Sequence, residues 1–309
     1  MYYFVLILKG FFVGIALIIP GLSGGTLAIY MGIYEKLLHA IGNIFTEMRK
    51  SLEFLIPVFL GMGISVISLA KLFGYLIDIN SFIVLLFFMG LLVGGTKAIY
   101  QKGTETDSKL DLKAIVPAFI SFTIIILLIV FGKLGDTNGI ASIDINFFNV
   151  ILLFFLGMAA SMTMIVTGIS GSALLIVLGY YTLIVTNVVG NILDFSNLGY
   201  HISVVIPFGL GAAAGIILFS KVIEYALKNF TKQTYFAILG FILGSVIAIF
   251  FEIKDPATGA THDLQTPIYQ NLLVYLGDHV LTLIFGIILF AIGFVVAMYL
   301  GKYEITDND

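Results

Sequence analysis

The chain has no cysteine and little charge. Its 309 residues include 15 Lys and Arg and 18 Asp and Glu, so 11% are charged, against about 25% in a typical soluble protein. This scarcity of charge excludes a cytosolic enzyme, a nucleic-acid-binding protein and a disordered regulator. The net charge of −3 leaves no basic surface for DNA or RNA. The absence of cysteine excludes disulfides, Cys-ligated zinc, iron–sulfur clusters and thiol nucleophiles.

Long apolar runs take the place of the missing charge. Hydrophobic residues make up 60% of the chain, and the mean hydropathy is +1.12. A membrane-spanning helix needs about 20 mostly apolar residues. Polar residues divide the sequence into ten such segments, apolar on all faces, which predicts an all-α polytopic membrane protein. The segments cover residues 3–19, 24–43, 54–77, 82–99, 114–131, 147–166, 169–189, 201–223, 234–251 and 278–300.

Lysine and arginine are distributed unevenly between the two sides of the membrane. If each segment, or each close pair of segments, returns the chain to the side that ten crossings predict, ten of these residues fall on the side of both termini and three on the other. Because cytoplasmic loops are enriched in lysine and arginine, we expect both termini to be cytoplasmic. The ten residues are Arg49, Lys50, Lys97, Lys102, Lys109, Lys113, Lys221, Lys228, Lys232 and Lys302, and the three are Lys71, Lys133 and Lys254.

The two halves of the chain repeat each other. Residues 20–25 (PGLSGG, the first motif) align with residues 167–172 (TGISGS, the second motif), an offset of 147. Five segments per half is an odd number, so the second half must lie upside down relative to the first. We therefore expect two inverted repeats, residues 1–142 and 143–309, in one transmembrane domain, as in many transporters. Other aligned pairs are Gly10/Gly157, Gly32/Gly179, Tyr34/Tyr181, Pro57/Pro207, Gly61/Gly211, Lys71/Lys221, Gly90/Gly240 and Gly94/Gly244.

Each motif interrupts a helix. Pro20 removes a backbone donor, and the glycines allow positive φ, so the first motif does not continue a helix. Irregular backbone inside a bilayer is tolerated only where protein buries it or water reaches it. We therefore expect two re-entrant hairpins, residues 3–43 entering from the cytoplasm and residues 147–189 from outside, whose tips meet near mid-depth.

The tips have the features of an anion site. Ser23 and Ser170 can cap the helices that follow them, and the N–H groups of both first turns lack intrahelical acceptors. Two opposed helix starts would hold one phosphate or carboxylate and could also release it. The alternative is that the motifs are two kinks packed on each other through small residues. The candidate binding residues are Ser23, Gly24, Gly25, Thr26, Thr167, Ser170, Gly171 and Ser172.

Ionisable residues inside the segments are further candidates, because such residues are costly in a membrane and often functional. Glu35 and Lys36 either extend towards the cytoplasmic surface or act at the mouth of the pathway. Lys9 can pair with Glu35 across the first hairpin. The aligned Tyr34 and Tyr181 are candidate pathway residues as well. The histidines show no metal-ligand spacing, and no residue pattern calls for a cofactor or a catalytic residue.

The residues around both motifs resemble a known family. Residues 19–28 (IPGLSGGTLA) with residues 32–35 (GIYE), and residues 168–172 (GISGS) with residues 179–181 (GYY), are similar to the PopT-type polyprenyl-phosphate translocases. The resemblance covers the whole chain, although Thr167 stands where the family usually has proline. It implies a transporter that recycles undecaprenyl phosphate from the outer to the inner leaflet of the bacterial cytoplasmic membrane. The phosphate would bind at the opposed tips while the tail stays in lipid.

Two other functions fit parts of the pattern. Polyprenyl-diphosphate phosphatases also combine inverted hairpins with a Pro-Gly-x-Ser start, but they follow the serine with arginine and add paired glutamates. Here Gly24 and Gly171 follow the serines, and Arg49 is the only arginine. A carrier of a small soluble anion would suit opposed Ser-rich tips equally well. The sequence leaves open whether H⁺ or Na⁺ drives transport and whether the protein forms a homodimer.

Overall fold

Helices make up nearly all of the structure, a computed structural model that describes residues 2–16, 23–105, 111–134, 140, 142–165, 171–189, 197–259 and 266–300. The helices are α1 (Tyr2–Ile15), α2 (Gly24–Tyr30), α3 (Tyr34–Gly42), α4 (Met48–Thr104), α5 (Leu112–Leu134), α6 (Phe147–Ile165), α7 (Gly171–Val177), a π-helix (Thr182–Val189), α8 (Leu198–Asn229), α9 (Thr231–Glu252), α10 (Leu272–Asp278) and α11 (Val280–Leu300). Two short strands, β1 (Lys254–Asp255) and β2 (Thr266–Pro267), pair antiparallel between α9 and α10.

Several helices are suited to a membrane. Five of the described helices, α4, α5, α8, α9 and α11, are long and apolar enough to cross one, while α1 and α6 are apolar but shorter. This confirms the prediction of an all-α polytopic membrane protein. Many of their large apolar side chains face outwards, as the lipid-facing surface of a membrane protein requires.

Two of the predicted segments are not single helices. Residues 24–43 form α2 and α3, which are separated at Gly32, and residues 169–189 include α7 and the π-helix, which are separated at Gly179. The prediction of one helix per segment was wrong here because both glycines take a positive φ, 65° and 77° respectively. A residue in this conformation ends a helix, and glycine takes it at little steric cost.

The two helix ends have the same hydrogen bonds. After α2, the N–H of Gly32 donates to Ile29 at 2.9 Å and the N–H of Ile33 donates to Ala28 at 3.0 Å. This pair of bonds is the Schellman pattern of helix termination. After α7, the equivalent bonds run from Gly179 to Ile176 and from Tyr180 to Leu175, both at 2.9 Å. The four bonded positions correspond at the offset of 147 that the sequence comparison uses.

The long helix α4 consists of two helices that meet at Asn80. The backbone of Asn80 is non-helical (φ −161°, ψ 89°), and its side-chain oxygen accepts a hydrogen bond from the N–H of Ile83 at 3.1 Å. Ser81 bonds the backbone of Lys254 twice, donating to its carbonyl at 3.0 Å and accepting from its N–H at 2.9 Å. Strand β1 therefore fixes the break that separates the predicted segments 54–77 and 82–99.

Aligned glycines bring helices together in both halves. In the first half, Gly10 of α1 lies so close to the Val58 carbonyl of α4 that a Cβ would collide with it. In the second half, Gly157 of α6 lies in the same way against the Phe208 carbonyl of α8. Both the glycines and the carbonyls they contact correspond between the halves, at offsets of 147 and 150.

The remaining long helices pair between the two halves of the chain. Gly90 and Gly94, in the second part of α4, lie against Phe290 and Phe294 of α11. Helix α9 packs on α5, where the aligned Gly240 and Gly244 lie against Ala118 and Ile125. Each half thus contributes its last long helix to the packing of the other half.

Candidate functional site

Two buried hydroxyl groups at the start of α2 have no hydrogen-bond partner within the described residues. The Ser23 side chain belongs to a residue that is 8% exposed, and Thr26 is 1% exposed. A buried hydroxyl left without a partner costs about 1–3 kcal/mol. Both groups are therefore available to a polar ligand, and both belong to the predicted anion site.

The expected cap by the Ser23 side chain was wrong. Ser23 is the N-cap of α2 with an extended backbone, but its side chain makes no capping hydrogen bond. Instead its carbonyl accepts hydrogen bonds from the N–H of Thr26 at 3.1 Å and of Leu27 at 3.4 Å. The N–H of Thr26 therefore has an intrahelical acceptor, contrary to expectation, because the first turn of α2 is tight. The tight turn leaves the Ser23 hydroxyl unused.

Gly24 and Gly25 form the first turn of α2, beside α1. Gly25 is buried, and a Cβ at Gly24 would lie 3.7 Å from Cγ1 of Val13. This is an ordinary van der Waals distance, so the packing of α1 leaves room for a small side chain at position 24. That the N–H groups of these two glycines bind an anion stays a prediction.

Much of the second motif lies outside the described residues. This applies to Thr167 and Ser170 and to the side chain of Ser172. Gly171 begins α7, which packs on α6 and α5. Tyr181 follows α7 and is partly buried against the apolar core of the second half.

Tyr34 connects α3 with α6. Its hydroxyl donates a hydrogen bond to the carbonyl of Ile165, the last residue of α6, at 2.8 Å. Tyr34 begins α3, just after α2, while Ile165 directly precedes the region of the second motif. Helix α2 also packs on α6. The helices that follow the first motif are therefore in contact with the helix that precedes the second.

Glu35 binds a residue that sequence analysis did not find. Its carboxylate accepts a hydrogen bond from the hydroxyl of Tyr235 in α9 at 2.6 Å. Tyr235 is 3% exposed and lies beside Gly103 of α4, so the packing of α9 holds its ring in place. Lys9 is partly buried on α1, and its pairing with Glu35 stays a prediction.

A cavity of about 570 Å³, here called the vestibule, lies where the start of α1, α3, the start of α4 and the end of α8 converge. Glu35 and Lys36 both line it, and their role at the mouth of a pathway stays a prediction. Its other charged or titratable residues are mixed in sign, so the vestibule has no excess of formal charge. They are His39, Glu47, Lys50, Glu224 and Lys228.

The chain matches proteins known for one function. The family model described as undecaprenyl phosphate translocase-like matches residues 13–263. A protein of Staphylococcus aureus named polyprenyl-phosphate transporter is 30% identical over 301 residues, which is 96% of this chain and 95% of that protein. A Vibrio cholerae protein of the same name is 26% identical over 253 residues, 77% of this chain and 75% of its own length. No solved structure matches the chain. The chain therefore belongs to the undecaprenyl phosphate translocase-like family.

Proposed function

We propose that the chain is a polyprenyl-phosphate translocase that returns undecaprenyl phosphate from the outer to the inner leaflet of the bacterial cytoplasmic membrane. Its family and the names of its two relatives support the substrate class. The observation that carries the binding site is the pair of buried hydroxyls of Ser23 and Thr26, which have no partner in the described part of the chain. Phosphate oxygens accept hydrogen bonds from hydroxyls, so one headgroup would satisfy both.

The chemistry of the lipid explains why such a site is needed. Its phosphate head is an anion, and transfer of an unpaired anion into hydrocarbon costs much free energy. Its polyprenyl tail is apolar and dissolves in the hydrocarbon of the bilayer. A small polar cradle inside the protein therefore suffices, with the tail outside it. In this proposal Ser23, Gly24, Gly25 and Thr26 form one side of the cradle. The other side is formed by Thr167, Ser170, Gly171 and Ser172.

Two observations support bringing these two sides together as inverted repeats. The hydrogen bond from Tyr34 to Ile165 joins α3 to α6, which would belong to the two proposed hairpins. The matched helix ends at Gly32 and Gly179 support a common origin of residues 1–142 and 143–309. An odd number of crossings in each half then inverts the second half, and the distribution of lysine places both termini in the cytoplasm.

In this proposal the protein is a transporter and not an enzyme. Phosphoryl transfer needs groups that stabilise the transferring phosphate and move protons. The residues at the start of α2 offer hydroxyls and backbone, while Glu35 is held by Tyr235 in the vestibule. Lys9, Tyr34, Lys36 and Tyr181 would line or adjust the pathway. An assay of phosphate release from polyprenyl diphosphate tests this part of the proposal, and sustained release would contradict it.

The site is tested by removing the two hydroxyls. We expect Ser23→Ala combined with Thr26→Val to weaken headgroup binding by about 100-fold or more, because each of the two lost hydrogen bonds to a charged group contributes about 1.5–3 kcal/mol. The measurement is the movement of labelled polyprenyl phosphate between leaflets of reconstituted vesicles, with its concentration dependence. Ser220→Ala is the matched control, since the Ser220 hydroxyl in α8 is equally buried and also has no partner among the described residues.

The outcomes separate the proposed function from its alternatives. Transport by the double variant at the wild-type rate would contradict the site. Transport of inorganic phosphate or of a carboxylate in place of the lipid would favour a carrier of a small soluble anion. The same vesicles, given an imposed H⁺ or Na⁺ gradient, show which ion drives transport. Cross-linking before reconstitution shows whether a homodimer forms.

A further inference from the structure

Helices α3 and α8 meet through a polar contact that joins the two halves of the chain. The Nδ1 atom of His39 in α3 lies 2.6 Å from Oε1 of Glu224 in α8. The side-chain amide of Asn43 donates to the carbonyl of His39 at 3.0 Å and lies 3.5 Å from Oε2 of Glu224. On its other side, the His39 ring has Nε2 at 3.8 Å from Glu47, the N-cap of α4. One imidazole thus contacts carboxylates at α8 and at the start of α4.

The two helices also approach closely at this place. A Cβ at Gly42, the last residue of α3, would lie 3.0 Å from Cγ of Lys221 and 3.6 Å from Oε2 of Glu224. No side chain at position 42 separates the helices, so α3 ends directly against α8. His39 and Glu224 both line the vestibule, which means that a change in this contact changes the vestibule itself.

The part of the second half that the structure describes shows no counterpart of this contact. By the alignment of the halves, the π-helix corresponds to α3 and the first part of α4 corresponds to α8. Both α3 and the π-helix pack within their own half, on α4 and α8 respectively. Only α3 packs on the other half, because the described residues show no comparable packing of the π-helix on α4. Within the described residues, the two halves are therefore joined in this way at one end. A contact at one end that opens and closes is what alternating access requires.

The polar pair is suited to opening. The His39 and Glu224 side chains are 50% and 33% exposed, so water competes for both. Exposed ion pairs of this kind contribute little to stability. A contact that had to stay closed permanently would be expected to be buried, as the apolar interfaces of α4 and α9 are.

We propose that the contact between α3 and α8, with His39 and Glu224 as its polar pair, is a gate that opens in each transport cycle. The gate is closed in this structure, and its opening connects the site at Ser23 and Thr26 with the membrane side that bears residues 43–53. The inference rests on the proposed function, because a gate has meaning only in a protein that moves its substrate.

A disulfide across the gate tests the proposal. The chain has no cysteine of its own, so Gly42→Cys with Lys221→Cys introduces a single pair. A Cβ at position 42 lies 3.0 Å from the Cγ position of Lys221, which is within the reach of a disulfide. We expect oxidation to reduce lipid transport to background and a reductant to restore it. Each single-cysteine variant under the same oxidant is the control.

Each result of this experiment decides a different point. Cross-linked protein that transports lipid as fast as the same variant after treatment with reductant would overturn the gate. Two cysteines that react with maleimide but do not cross-link to each other would also overturn it. Wild-type protein that moves no lipid would instead overturn the proposed function. If the double-cysteine variant transports no lipid even after treatment with reductant, the test of His39 and Glu224 that follows decides whether the gate exists.

The polar pair is tested by accessibility. Ser51→Cys places a thiol at a vestibule residue that is 3% exposed. Adding His39→Gln or Glu224→Gln should speed its reaction with a water-soluble maleimide by up to about fivefold, the scale of a partly exposed ion pair. The exchange His39→Glu with Glu224→His should restore protection. Equal labelling in all variants would overturn the gate.

Discussion

Gly179 has a positive φ of 77° and open space where a side chain would lie. Substitution there changes the backbone energy and little else. We expect Gly179→Ala to lower the free energy of unfolding by about 1 kcal/mol, since a left-handed conformation costs an L-residue about 1–2 kcal/mol. Thermal unfolding in detergent measures the effect.

Two further variants serve as controls for Gly179→Ala. Gly209 in α8 also has open space at the Cβ position but lies within a helix, so Gly209→Ala should leave stability unchanged or raise it. Gly179→Asn should be milder than Gly179→Ala, because asparagine tolerates the left-handed region better. If Gly179→Ala lowers stability no more than Gly209→Ala does, the proposed role of the turn at Gly179 is contradicted.

Single residues show both what the sequence predicts and where it stops. Ser23 and Thr26 were predicted as site residues from the motif alone, because glycine and proline interrupt a helix by local chemistry, and their role stays a prediction. The cap by Ser23 was predicted wrongly, since the tightness of one turn decides which oxygen accepts a hydrogen bond. The partnership of Glu35 with Tyr235 spans 200 positions and depends on how α9 packs, which no local pattern encodes.

The break in α4 shows how one element holds another. Ser81 is fully buried and bonds the backbone of Lys254 twice. We expect Ser81→Ala to destabilise the protein by about 1–3 kcal/mol, because two part-buried backbone groups of Lys254 each lose a hydrogen bond. Ser68→Ala is the control, since the Ser68 hydroxyl is bonded only to carbonyls of its own helix. Equal unfolding temperatures for both variants would contradict the bracing of the break.

For the helices, hydropathy predicts where they lie along the chain better than it predicts whether a segment is one helix or two. The apolar segments correspond to the described helices, because apolar length is what a membrane selects. The hydropathy of residues 24–43 does not place a helix end at Gly32, because apolar residues continue on both sides of it, although Glu35, Lys36 and His39 make the second side more polar. The signal was present in the alignment of Gly32 with Gly179. It was used as evidence of a repeat and not as the position of two helix ends.

For the whole molecule, glycine positions carry more information than the apolar residues around them. Gly10 with Gly157 and Gly90 with Gly240 mark equivalent close approaches of helices in the two halves. Small residues allow such approaches in membranes, where there is no hydrophobic drive between helices. The alignment found the glycines but not their partners, because the exchange of the last helices, α5 and α11, between the halves is a property of the assembled fold.

The orientation of the two halves is the last prediction. Thr46 precedes α4 and Asn197 precedes α8, and both residues are exposed at equivalent places in the two halves. Inverted halves place them on opposite sides of the membrane, whereas parallel halves place them on the same side. Because the chain has no cysteine, Thr46→Cys and Asn197→Cys each carry the only thiol. In intact cells, a membrane-impermeant maleimide should label position 197 and spare position 46 until the cells are opened. Labelling of both positions from outside, or of neither, would contradict the inversion, and labelling of position 46 alone would reverse the orientation while keeping the inversion.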